Sequence, residues 1–333
     1  FFDSISDPTA HKSARDLAVT ELETLARSNN ISINGSINAA LFLGELREKN
    51  GQIVQTATEP LSKLVTDETI TPAVRIAALL GLGSRTKEAR ESTKGSPIAV
   101  NAVSIIPTLG KIIMLPAEQL PAVARDWMQA RTLSYASDLL PLLGDGSKKL
   151  TEISNGAVII AKDPTRSIDL RIRSIVFLSL LAGTDIVLPA SEIMTVTDKL
   201  VRESLREAYG TIQEKKFEEE ITGIGIQGGG DEMMGFDPMG TPIEIENNYL
   251  PITASFRASW RLVTLADSMN RLAEQMNDDK ETYKKNAERL RAFGVKIYEE
   301  PKDASIISTV KEFDPESIVS DIENSETNDP EKE

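Results

Sequence analysis

Apolar residues recur at three- and four-residue spacing along most of the chain, which is the period of an α-helix. In residues 59–67 they form one apolar stripe, and the turn that follows ends in Thr71 and Pro72. Threonine is favoured at a helix N-cap and proline at the first helical position. The pattern therefore predicts a helix, a short turn and a second helix. Residues 13–28 predict the first helix of another such pair.

The second helices of these pairs are similar in sequence. Residues 35–46 align without gaps on residues 74–85, an offset of 39 positions, and residues 170–181 follow the same pattern. Small and aliphatic residues at helical spacing indicate a helix that is packed on more than one side. The matched positions are Ala39, Leu43 and Gly44 in the first copy, Ala78, Leu82 and Gly83 in the second, and Arg171, Ile175, Leu178 and Leu181 in the third.

These repeats resemble the HEAT and armadillo-like family of α-solenoids, whose second helix typically begins with Pro-x-Val-Arg and continues to Leu-Gly. The resemblance is clearest over residues 13–85 and 150–185. It implies an all-α fold, an irregular solenoid of antiparallel helix pairs, in which Arg75 and Arg171 join a ladder with acidic residues of neighbouring repeats. Ser36 occupies this position in the first copy, so the ladder is incomplete there. The positions that carry the resemblance are Pro72, Val74, Arg75, Ala77, Ala78, Leu82, Gly83 and Arg171.

The rest of the chain keeps helical periodicity but loses the repeat. Residues 96–146 leave room for one degenerate repeat and an insertion. Two long charged helices are predicted after Pro189, over residues 191–220 and 252–293, with a break near Asn277. They would act as a cap for the array, because the end of a solenoid needs a polar outer face. The alternative is that the 252–293 helix is a coiled-coil arm for self-association.

Composition divides the chain into four segments. Residues 1–221 are predicted to form the repeat array, residues 222–248 a long acidic loop rich in glycine and methionine, and residues 249–300 a helical cap or arm that continues the array. Residues 311–333 contain nine acidic residues and two lysines with few apolar residues. Such a segment cannot bury enough apolar surface to offset its ordering entropy, so we predict a disordered tail.

The loop of residues 222–248 raises the question of a cofactor. Residues 223–228 read GIGIQG, which is the spacing of a dinucleotide-binding turn, but no strand precedes them and no helix follows. Residues 217–256 carry eight acidic side chains and no lysine or arginine, so a phosphate would be repelled there. We therefore predict no cofactor.

Three interpretations of this loop stay open. It is a flexible insertion, a segment that folds onto a partner or back onto the array, or a calcium site formed by Asp231, Glu232 and Asp237. Exposed methionines favour adaptable contacts with a partner. The partner-binding candidates in this loop are Met233, Met234, Phe236 and Met239.

Charge and composition narrow the functional classes. The net charge of −14 argues against binding to the phosphate backbone of a nucleic acid. The absence of cysteine excludes disulfides, thiolate catalysis and thiolate metal sites. The longest apolar run, residues 174–183, is about half the length of a membrane span, so no membrane insertion is predicted. The first residue is Phe1, which is compatible with cleavage of a signal peptide, and both a cytoplasmic and an exported location stay open.

No catalytic group stands out. The single histidine, His11, has no accompanying nucleophile or metal motif. Trp127 and Arg131 are one helical turn apart and line either a pocket or a packed core. We predict a noncatalytic scaffold that presents its surface to another protein. One alternative is a lyase-like enzyme or enzyme subunit with a small-molecule pocket in the array, since bilin lyases resemble HEAT arrays. The other is an architectural oligomer that self-associates through the 252–293 helix.

Overall fold

A computed structural model describes residues 7–213, 254–276 and 280–299 of the chain. Within these ranges the regular structure is helical, no β-strand is formed, and Arg47 and Ile53 make one isolated bridge. The predicted all-α fold class is confirmed. The contacts divide the chain into two compact units, Phe1–Pro189 and Ala190–Glu333.

The first unit is a succession of helices joined by short connections. Two short 3-10 helices, Gln55–Ala57 and Gly144–Leu150, precede α3 and α8. The α-helices are α1 (Pro8–Arg27), α2 (Ile33–Glu45), α3 (Thr58–Thr66), α4 (Pro72–Arg90), α5 (Pro97–Val103), α6 (Ile106–Ile113), α7 (Ala122–Leu143), α8 (Thr151–Lys162) and α9 (Ile168–Leu180).

Several of these helices begin at a capping side chain. The hydroxyls of Ser32, Ser96 and Ser167 accept a hydrogen bond from the backbone N–H three residues later, at 3.2 to 3.4 Å. Thr71 is the N-cap of α4, as predicted, and Pro72 is its first residue, but the Thr71 hydroxyl makes no capping hydrogen bond. The Thr71 carbonyl instead accepts from two N–H groups of the first turn, each at 3.1 Å.

Three helix pairs, α1–α2, α3–α4 and α8–α9, share the same turn. In each turn, a side-chain oxygen accepts a hydrogen bond from the backbone N–H two residues later. The acceptor is Ser28 at 3.1 Å in the first turn, Asp67 at 3.0 Å in the second and Asp163 at 2.9 Å in the third. These three residues are related by the same offsets as the aligned sequence segments, so the sequence repeat is also a repeat of local structure.

The buried arginines of the second helices are equivalent as well. The Nε atoms of Arg75 and Arg171 each donate to the backbone carbonyl ten residues earlier, at 2.9 and 3.1 Å. Ser36 occupies this position in α2, and its hydroxyl donates to the carbonyl eight residues earlier at 3.3 Å. These bonds tie the two helices of a pair together. Arg27, at the end of α1, forms an ion pair with Asp67 in the turn after α3, with its Nη1 atom 2.6 Å from the carboxylate.

The helices contact one another in two rows. In the first row, α1 contacts α3, α3 contacts α6 and α6 contacts α8. In the second row, α2 contacts α4, α4 contacts α7 and α7 contacts α9. The pair α6–α7, preceded by the short α5, fills the interval in which the sequence pattern was degenerate.

The helix α4 is buried on several sides, as its sequence pattern indicated. It contacts α2, α3, α5 and α7. Two glycines make these contacts close: Gly81 faces α2, and Gly83 lies against the ring of Tyr135 in α7. The predicted repeat positions Val74, Arg75, Ala78 and Leu82 are all buried.

The second unit contains α10 (Ala190–Gln213), α11 (Ala254–Ala273) and α12 (Lys280–Glu299), and α11 packs against both other helices. The helix predicted over residues 252–293, with a break near Asn277, is two helices, and α11 ends before Asn277. The contacts of α10 place it in this unit. The predicted division into a repeat array, a loop, a cap and a tail stays a prediction. Most of the apolar stripe that suggested a coiled-coil arm is buried within this unit, namely Leu262, Leu265, Met269 and Leu272, whereas Met276 is half-buried.

Candidate functional site

The structure describes only some of the residues singled out from the sequence. Met233, Met234, Phe236 and Met239 lie outside the described residues, as do the glycine motif, the candidate calcium ligands and the acidic tail. Trp127 and Arg131 are both half-buried on α7, and the Arg131 guanidinium carbon lies 5.1 Å from the centroid of the indole ring. This distance is that of a cation–π contact.

A cavity of about 660 Å³ lies between α5, α6 and the end of α7, and we call it the apolar groove. Its rim carries Lys94, Lys149 and Glu152. Trp127 does not line it. The floor is formed by aliphatic side chains that come from two distant parts of the sequence, namely Ala99, Val103, Ile106, Pro107, Leu142 and Leu143.

Local sequence explains why the groove is open. The helix α5 is only seven residues long and leaves the side chain of Val100 62% exposed. Gly144 follows the last residue of α7 with a φ of 52°, a left-handed conformation that favours glycine. The chain then turns into the 3-10 helix that brings Lys149 to the rim. A Cβ at Gly144 would meet the ammonium group of Lys94, so the absence of a side chain there also lets Lys94 approach.

The rim is cationic, although the protein as a whole is acidic. Lys94 and Lys149 are exposed, and neither makes an ion pair with any residue that the structure describes. Glu152 in the first turn of α8 extends toward α6, where a Cβ at Gly110 would lie 2.6 Å from its Oε2 atom. The groove thus combines an aliphatic floor with two available ammonium groups. It is suited to holding an apolar group next to an anionic one.

This groove was not found from the sequence. The helical periodicity of residues 96–146 predicted helices in the region of α5 and α6, because this spacing is local. The contribution of Leu142 and Leu143 depends on how α7 crosses that face, and no local pattern encodes the crossing. The available signals were an apolar residue, Val100, in a short predicted helix and a lysine, Lys94, six residues before it.

Comparisons with protein-family models, with curated proteins and with solved structures find no match to this chain. Among the described residues, no group of three or more histidine, aspartate or glutamate side chains is arranged to hold a metal ion. None of the described helices combines the length and the apolar character that a membrane crossing requires.

Proposed function

We propose that the helices α1–α9 form an irregular, HEAT-like α-solenoid of antiparallel helix pairs and that this array is a noncatalytic scaffold for another protein. The two rows of contacts, α1–α3–α6–α8 and α2–α4–α7–α9, support the solenoid, because stacked helix pairs bury a continuous core in this way. The shared hydrogen bond in the turns at Ser28, Asp67 and Asp163 supports a common repeat unit. The helix α5 makes the array irregular.

The observation that carries the binding role is the apolar groove. Its floor is aliphatic, its rim presents Lys94 and Lys149, and Val100 is 62% exposed. A small-molecule site usually buries most of its ligand, whereas this groove is open along one side. An open aliphatic groove fits the apolar face of a peptide segment or helix.

Charge complementarity specifies the partner further. Two ammonium groups without an ion-pair partner among the described residues flank the floor, so the best complement is a segment in which aspartate or glutamate residues flank aliphatic or aromatic ones. The acidic residues of the partner would lie at the rim beside the two lysines. Charge pairs at a rim increase specificity and the rate of association more than they increase affinity. The aliphatic floor supplies the burial that stabilises the complex.

Site-specific cross-linking tests this proposal. A photo-activated benzophenone residue replaces Val100 in the full chain, and the protein is irradiated in native cell extract. We expect discrete cross-linked products at Val100 that disappear when Lys94→Glu and Lys149→Glu are added. Lys148→Glu is the matched control, because Lys148 is adjacent to Lys149 and exposed but does not line the groove.

Two results would count against the scaffold. The first concerns a cross-linker placed at Val187, which is 96% exposed and does not line the groove. If it gives the same cross-linked products as the cross-linker at Val100, the groove has no specific partner. The second is a pattern that survives reversal of both rim charges. Retention of a small molecule, observed by native mass spectrometry and lost on Val100→Asp, would favour the alternative of an enzyme or enzyme subunit with a ligand pocket.

A further inference from the structure

A second cavity of the first unit contains a buried cation. It has a volume of about 190 Å³ and lies beside the turn between α3 and α4, where α6 ends. Arg75, Lys111, Glu68 and Gln119 contribute its polar groups, and Ile112 and Leu115 are among its apolar ones. It is separate from the apolar groove, which has none of these residues in its lining.

The surroundings of Arg75 differ from those of the other buried arginine of α4. Arg85 donates four hydrogen bonds, to the hydroxyl of Thr58 and to three backbone carbonyls. Arg75 is just as buried, at 2% exposure, but among the described residues it donates only from Nε, to the carbonyl of Val65. Its two Nη groups have no acceptor and no carboxylate within ion-pair distance in the described part of the chain.

The other polar groups of this cavity leave a positive balance. Lys111 is exposed and makes no ion pair with the residues that the structure describes. The carboxylate of Glu68 is engaged by Gln119, whose Nε2 atom donates to Glu68 Oε1 at 2.6 Å. Two cations and one carboxylate therefore line the cavity. Burial lowers the pKa of Arg75, and the carboxylates of Glu68 and Asp67, which raise this pKa, do not fully offset the effect of burial.

We infer that this cavity binds a carboxylate carried on a short aliphatic group, held between the Nη groups of Arg75 and the ammonium group of Lys111. A guanidinium presents a planar fork that matches the two oxygens of a carboxylate. The two Nη groups of Arg75 have no acceptor among the described residues, so an anion in the cavity would gain charge-assisted hydrogen bonds from them. Arg75, Lys111 and Glu68 give the lining a net positive charge that a single negative charge balances. A dianion would leave an excess negative charge next to Glu68, which repels it.

The apolar walls favour this ligand over inorganic phosphate. Ile112 and Leu115 contribute aliphatic surface next to the cations, and this surface is buried by a hydrocarbon stem but not by a fully polar ion. The same chemistry is available from two sources, a free small carboxylic acid or a glutamate side chain of a bound protein. Both place a carboxylate at the end of a short methylene chain.

Titration of the full-length protein, labelled with ¹⁵N, tests the inference at constant ionic strength. The probes are butyrate, its neutral analogue butyramide, and inorganic phosphate. We expect butyrate to cause saturable shifts of the Ile112 and Leu115 amides and of the Gln119 side-chain amide, and butyramide to cause none. Lys111→Gln should weaken butyrate binding about fivefold or more. Lys148→Gln, an exposed lysine outside the cavity, should leave it unchanged.

Lys111 is exposed, so its substitution keeps the test valid even if substitution of the buried Arg75 prevents folding. The inference is overturned if butyrate causes no saturable shift, if butyramide acts like butyrate, if Lys111→Gln binds as the wild type does, or if phosphate binds as tightly as butyrate. An acetylated and amidated Ala-Glu-Ala peptide separates the two sources. Tighter binding of the peptide supports a partner side chain, and tighter binding of butyrate supports a free acid.

Discussion

Gly44 of α2 and Gly81 of α4 lie backbone against backbone, so that a Cβ at Gly44 would come within 2.6 Å of the Cα atom of Gly81. This contact sets how closely the two helices approach. We expect Gly81→Ala to reduce the free energy of unfolding by about 1–3 kcal/mol, because the added methyl forces the helices apart. Urea denaturation followed by circular dichroism measures the change. Gly146→Ala is the control, since a Cβ there meets nothing within 4 Å, and equal losses in both variants would contradict the close contact.

Arg85 is a second determinant of this helix crossing. Its guanidinium donates to the carbonyls of Gly44 and Gly81 at 3.1 and 2.7 Å and to that of Val54 at 3.2 Å. Replacing it by methionine removes the donor of these buried hydrogen bonds, and we expect a loss of about 2–4 kcal/mol in the free energy of unfolding. Arg90→Met on the same helix removes an exposed ion pair and should cost less than about 1 kcal/mol. Similar effects of the two substitutions would rule out this role for Arg85.

The repeated turns predict a defined dependence of stability on pH. The pKa of Asp67 is lowered to about 2, first by the hydroxyl of Thr69, then by the Thr69 backbone N–H and by Arg27. A carboxylate with a lowered pKa in the folded state stabilises the protein above its unfolded pKa of about 4, and this contribution is lost as the pH falls toward 2. The difference in unfolding free energy between wild type and Asp67→Asn should therefore shrink over this range. The pKa of Asp163 is lowered in the same direction by Thr165, so Asp163→Asn should behave alike.

Thr69→Ala provides the control for this titration. It removes the hydroxyl that makes the largest contribution to the lowered pKa of Asp67. In this background Asp67→Asn should have a smaller effect at neutral pH. An effect of Asp67→Asn that is independent of pH between about 2 and 7, in either background, would show that the turn does not stabilise the ionised form.

The packing of α11 against α12 predicts that two introduced cysteines can form a disulfide within one chain. A Cβ at Gly294 would lie 3.2 Å from the Cβ atom of Leu262, and the chain has no cysteine of its own. A disulfide needs a Cβ–Cβ distance of about 3.5–4.5 Å, so a small separation of the two helices lets Leu262→Cys and Gly294→Cys form a monomeric cross-link on oxidation. Faster migration in a nonreducing gel detects it. In one continuous helix the two positions would be about 48 Å apart and no such bond would form. Leu262→Cys with the exposed Glu288→Cys is the matched pair and should stay reduced.

Local sequence patterns predicted much of the first unit. The apolar period indicated α3 and α4, Pro72 marked the start of α4, and the offset of 39 positions between the first two copies recurs in the turns at Ser28 and Asp67. Those features depend on contacts between residues close in sequence. The 252–293 segment was predicted as a long helix because its apolar stripe is nearly continuous, and the break after Ala273 was only approximately located.

The two cavities show what such patterns leave undetermined. Arg75 was recognised as a repeat position, but its unused donors become evident only when α6 closes the space in front of it. The apolar groove likewise needs the crossing of α7 over α5 and α6. The sequence by itself determined the helical character of the chain, the helix–turn–helix at residues 58–90 and the buried positions of α4, because these follow from local periodicity and capping. Only the tertiary structure decided which polar groups stay unpaired and where apolar surface stays open, because both depend on contacts between residues far apart in the chain.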